Sequence, residues 1–72
     1  NDNNVKYIIE INHVGKTFYA YSKRTSLYHA DMARKFSDPQ SAWQYYKRSE
    51  FFKAGDSASI LKFDTVLSRI IS

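Results

Sequence analysis

Apolar and polar positions alternate over residues 5–12 (VKYIIEIN), which predicts a strand. Val5, Tyr7, Ile9 and Ile11 share the expected core face, and Lys6, Ile8, Glu10 and Asn12 the other. His13, Val14, Gly15 and Lys16 read as a turn, with Gly15 free to take positive φ. Residues 17–22 (TFYAYS) read as a second strand, paired with the first in a hairpin. After a basic connection at residues 23–26 the pattern loses its period. Ala30, Met32, Ala33, Arg34 and Lys35 favour helix by propensity, whereas Leu27, Tyr28 and His29 favour strand. The reading adopted is a third strand over residues 27–33.

The period then changes to that of a helix. Ser37, Asp38, Pro39 and Gln40 match a capping box, with the Ser37 hydroxyl on the Gln40 amide. A second register has Asp38 as the cap and Pro39 at the first helical position. Ala42, Tyr45, Tyr46, Ser49 and Phe52, with Trp43 beside them, form the expected apolar stripe, and Gly55 ends the helix. Residues 58–65 (ASILKFDT) read as a last strand, with Ile60 and Lys62 on one face and Leu61 and Phe63 on the other. Residues 66–71 either extend it or add a helical turn. The predicted fold class is therefore α+β: a small antiparallel sheet of three to four strands with one helix packed on it, in the order β-β-β-α-β. The expected core holds Tyr7, Ile9, Ile11, Phe18, Phe36, Ala42, Tyr46, Phe52, Ile60 and Phe63.

Length sharpens this picture. Seventy-two residues allow one domain, residues 1–72, with residues 1–4 expected to be a frayed terminus. A chain this short buries only about 60% of its unfolded surface. It has no cysteine to staple it, which suits a reducing cytoplasm. Six tyrosines, five phenylalanines and one tryptophan are more than so thin a core hides, so several rings are expected at the surface. Neither a secretory signal nor an apolar run long enough for a membrane span is read in the sequence. The chain does not begin with Met, so it is expected to be a processed or trimmed piece.

Candidate chemistry is sparse. There is no G-x-S-x-G elbow, P-loop or dinucleotide loop. On a strand His29 and Asp31 would point the same way, the beginning of a metal site or a His–carboxylate pair. A third ligand would have to come from His13 or Asp64, and nothing in the spacing brings one, so the pair is read as surface residues. The expectation is no enzyme activity, no cofactor and no metal.

The net charge of +4 and three basic pairs, Lys23–Arg24, Arg34–Lys35 and Lys47–Arg48, point to binding instead. Each pair has aromatic neighbours: Tyr19, Tyr21 and Tyr28; Phe36; Tyr45 and Tyr46. The leading expectation is a protein-binding module, with Lys23, Arg24, Tyr28, Arg34, Lys47 and Arg48 as its contact residues. The alternative is a small nucleic-acid-binding protein that uses the basic pairs with tyrosines exposed on a free sheet face. A membrane partner is not expected.

The segment Ala33-Arg34-Lys35-Phe36-Ser37, followed by Ala42, lies between an N-terminal VKYIIEI strand and a closing ILKF strand. Over residues 5–64 this resembles small proteins encoded by bacteriophages and other mobile elements. The resemblance implies an accessory protein in the host-cell cytoplasm that binds and modulates a host protein. Anti-defence inhibitors of nucleases, of the anti-CRISPR type, belong to that class. It assigns no functional residue, because the shared positions are structural: Phe36 as anchor, Ser37 as cap and Ala42 where helix meets sheet.

Overall fold

The computed structural model describes residues 4–71. Its long central strand, β1 (Val5–His13), pairs antiparallel with β2 (Lys16–Ala20) on one side and β4 (Ser57–Asp64) on the other. Two-residue strands close the edges: β3 (Ser26–Leu27) beside β2, and β5 (Arg69–Ile70) beside β4. The sheet order is β3-β2-β1-β4-β5. Two helices cover one face, α1 (Pro39–Lys47) and the single turn α2 (Glu50–Lys53). The α+β class holds; the sheet has five strands where three to four were expected.

The first hairpin turns on Val14 and Gly15 alone, both at positive φ (50° and 77°). That is the type I′ geometry, whose twist matches the flanking strands. Gly15 suits it; Val14, β-branched and 85% exposed, does not. Val14→Asn is expected to raise stability by about 0.5–1.5 kcal/mol, read as a shifted urea midpoint with unchanged slope.

Residues 27–33 do not form the expected strand. Only Ser26 and Leu27 pair with β2; Ala30–Met32 is a 3-10 turn, followed by Ala33 at 3% exposure. The helix formers Ala30 and Met32 end the strand, and the small Ala33 lets the backbone lie against the sheet face opposite α1. There it meets Ile8 and Phe63, with Tyr19, Ala30, Leu61 and Ile70 packed round them. The main core lies on the helix side: Ile9, Ile11, Ala20, Ala42 and Tyr46, flanked by Phe18, Phe36, Tyr45, Phe51, Ala58 and Ile60. Both faces of β1 are therefore buried at mid-strand, and Ile8, assigned from the sequence to the outer face, has no exposure. Tyr7 is half-buried, and Phe52, expected in the core, is 49% exposed.

Phe52 is exposed because the expected single helix is broken. Asp38, not Ser37, caps α1: its carboxylate accepts from the Ser41 amide (2.8 Å) and from Ser41 Oγ, with Pro39 as the first helical residue. At the other end the Glu50 amide donates to the Lys23 carbonyl (2.8 Å) instead of continuing the helical ladder. Ser49, 1% exposed, stitches the break: its hydroxyl donates to the Tyr46 carbonyl (2.5 Å) and accepts from the Phe52 amide, so it caps α2. The break rotates Phe52 off the apolar stripe. Gly55, at φ 84°, stops α2 as the sequence predicts.

The last strand turns back at residues 65–68, where Asp64 Oδ1 accepts from the Val66 and Leu67 amides (2.9 Å each). Residues 66–71 thus neither extend β4 nor make a helix; they return as β5. Residues 1–3 of the expected frayed terminus lie outside the described residues, whereas the Asn4 carbonyl accepts from both the amide and the hydroxyl of Thr65.

Candidate functional site

Trp43 and Tyr45 lie two residues apart on α1, about 200° round a helix axis, so they look out from its two flanks. The flank at Tyr45 gathers two of the expected contact residues. Lys23, in the loop after β2, places Nζ 5.9 Å from the Tyr45 ring centre. Arg34 places its guanidinium carbon 4.9 Å from the same ring and 5.8 Å from that of Phe36. The Phe36 and Tyr45 rings are themselves 5.2 Å apart and tilted by 55°. Two backbone devices hold this group. Phe36 exchanges both main-chain hydrogen bonds with Tyr7, and the Lys23 carbonyl accepts from Glu50. Arg24 lies beside them with Nε 4.0 Å from Glu50 Oε1, an exposed pair that adds little energy.

The other expected contact residues go elsewhere. Lys47 extends along the opposite flank of α1, 5.8 Å from the Trp43 ring. Arg48 is exposed at the end of α1. Tyr28, just past β3 and 71% exposed, tilts against Phe18 of β2, with ring centres 5.0 Å apart. The six residues therefore do not form one patch. Tyr45, expected on the apolar stripe of the helix, and Phe36, expected in the core, both pack against the core and also carry the cations; in the chain each stands near a basic pair.

The basic surface of the sheet face opposite α1 does not materialise. The 3-10 turn covers the middle of that face, and alternation from Ile8 puts Glu10, Asn12, Thr17, Ser57 and Ser59 on the rest. Two cations lie there: Lys6, by the same alternation, and Lys35, with Nζ 5.0 Å from the Phe63 ring and donating to the Asp31 carbonyl. Burial, followed by the neighbouring Glu10 carboxylate, pushes the Tyr19 hydroxyl above its ordinary pKa.

The ligands imagined for a metal are dispersed. With no strand at residues 29–31, the geometry that would aim His29 and Asp31 the same way is absent. His13 Nδ1 lies 2.5 Å from Asp56 Oδ1, and Asp64 holds the final turn. Among the described residues no group of three His, Asp or Glu side chains is placed to hold a metal ion.

On the Trp43 flank a hollow of about 500 Å³ lies along α1, lined by Pro39, Gln40, Trp43, Gln44, Lys47 and Ile60. Trp43 is 40% exposed over it. Among the described residues no helix is long and apolar enough to cross a membrane. Comparison with protein-family models, with curated proteins and with solved structures gives no match.

Proposed function

We propose that this chain is a non-enzymatic protein-binding accessory protein, encoded by a phage or other mobile element. In this reading it works in the host cytoplasm by modulating or inhibiting a host protein such as a defence nuclease. The observation that carries the reading is the Lys23–Tyr45–Arg34 group. Arg and Tyr are residue types that dominate interface energies. Here both cations already rest on rings, so less side-chain freedom is lost when a partner meets them. An acidic protein surface suits this group. At this group the Tyr45 and Phe36 rings carry the chain's own Lys23 and Arg34 instead of lying open to bases, which supports the protein reading; the exposed Tyr21 and Tyr28 are the rings left to the nucleic-acid alternative.

The test is capture of partners from host lysate with and without nuclease, followed by affinity measurements on the captured protein. We expect a stoichiometric protein partner that survives nuclease. The double variant Lys23→Glu/Arg34→Glu is expected to weaken it by about 10–100-fold, as for like charges placed against an acidic face. Capture that vanishes with nuclease, or affinity falling by several decades between low and moderate salt, would favour nucleic acid instead.

A further inference from the structure

We infer that the outer edge of β4, with the hollow between it and α1, receives an extended acidic segment of the protein partner as an added strand of the sheet. The inference rests on the protein-binding reading above and names the form the partner takes. Its first support is an open edge. Tyr7 gives both its main-chain groups to Phe36, on the side of β1 away from β4. By antiparallel alternation Tyr7, Ile9 and Ile11 all look away from β4, and their opposite numbers Lys62, Ile60 and Ala58 look outward. The Lys62 carbonyl is taken by the Ile71 amide, and β5 pairs only with Phe63 and Asp64. From Ser57 to Leu61 no strand lies alongside among the described residues, so the outward N–H and C=O groups of Ala58 and Ile60 are offered to a newcomer.

The edge also lacks the usual guards. Residues 57–61 read Ser-Ala-Ser-Ile-Leu, with no Lys and no Pro, and their register with β1 runs without a bulge. Beside it, helix and strand form the walls that strand-addition sites use for alternate side chains. The Tyr46 hydroxyl donates to the Asp56 carbonyl where β4 begins, and Ser37 shares a second hollow with Lys62 further along. The helix therefore runs antiparallel to β4. Lys47 then stands at the start of the edge, Lys62 at its end, and Trp43 faces Ile60 between them.

Charge selects the occupant. No acidic side chain lines the hollow, and the acids nearest its ends are engaged, Asp38 by Ser41 and Asp56 by His13. A segment with carboxylates at both ends and a β-branched or aromatic residue in the middle matches this wall. A second copy of the chain would bring its own lysines to the same groove.

The test pans the protein against a displayed library of random nine-residue peptides and follows amide exchange with the enriched sequences. Expected are peptides with acidic ends and an apolar centre whose binding slows exchange of the Ala58 and Ile60 amides at least tenfold. Lys47→Glu/Lys62→Glu, two exposed positions, should weaken them at least tenfold and turn selection toward basic ends. Ala58→Pro, which removes an outward N–H, should weaken them while leaving the circular dichroism melt cooperative. Three results would overturn the inference: no enrichment, enriched peptides that leave both amides exchanging as in the free protein, or a free protein that sediments as a dimer with both amides already protected. A captured protein partner that leaves these amides unprotected would overturn the edge assignment alone. Failure to capture any protein partner would instead overturn the reading beneath it.

Discussion

Ile8→Ala is expected to cost about 2–5 kcal/mol, enough to leave much of a chain this small unfolded. The pattern of β1 alone gives a different answer. Ile8 stands between Lys6 and Glu10 on the polar face, and a surface substitution there would move stability by about 0.5 kcal/mol at most. The structure removes Ile8 wholly from water, under Ala33 and against Phe63, with Tyr19, Leu61 and Ile70 around it. Truncation leaves a cavity beneath Ala33, whose neighbour Arg34 is tied to β2 by its amide on the Ala20 carbonyl, which limits how far the cover can settle. Urea unfolding of the two proteins side by side measures the difference. A shift within error of zero would mean that the second core does not exist.

Tyr46→Ala is expected to cost about 3–5 kcal/mol, and its comparison with Tyr46→Phe separates ring from hydroxyl. The ring is 5% exposed and sits between Trp43 (5.3 Å) and Phe52 (5.5 Å, edge-on). Its hydroxyl donates to the Asp56 carbonyl and so ties α1 to the start of β4. Loss of that one hydrogen bond in Tyr46→Phe should cost about 0.5–1.5 kcal/mol. Burial first, and the Asp56 carboxylate second, raise the Tyr46 pKa above 10.0 in the folded chain. The native state therefore favours the protonated phenol. Its contribution to stability is complete below pH 10 and is lost as pH rises through the folded value. Tyr46→Phe should then be less stable than the parent at pH 8, with the gap narrowing above pH 10. Tyr19, raised in the same sense, keeps part of the alkaline loss in the variant.

The candidate site was legible only as ingredients. Lys23, Arg34 and the tyrosines could be named from the chain, because basic pairs beside rings are a composition signal. Which of them meet depended on how α1 sits on the sheet. Tyr45 turns toward Lys23 and Arg34, while Lys47, two residues later, turns with Trp43 toward β4. Tyr28, a good candidate by type, was taken by Phe18.

Strands β1 and β4, the first hairpin, the Asp38–Pro39 helix start as one of two registers, and the Gly55 stop were all written in local signals. Alternation, cap chemistry and positive φ act over a few residues, so a few residues suffice to show them. The break at Ser49 was not visible, because what diverts the Glu50 amide is the Lys23 carbonyl, 27 positions away in the chain. Nor was the burial of Ile8 visible, since its cover comes from Ala33, 25 positions later in the chain. The open edge of β4 belongs to the same class: it exists because β5 pairs with two residues and then ends. Each of these depends on a contact between distant segments, and local pattern cannot encode which distant segment arrives.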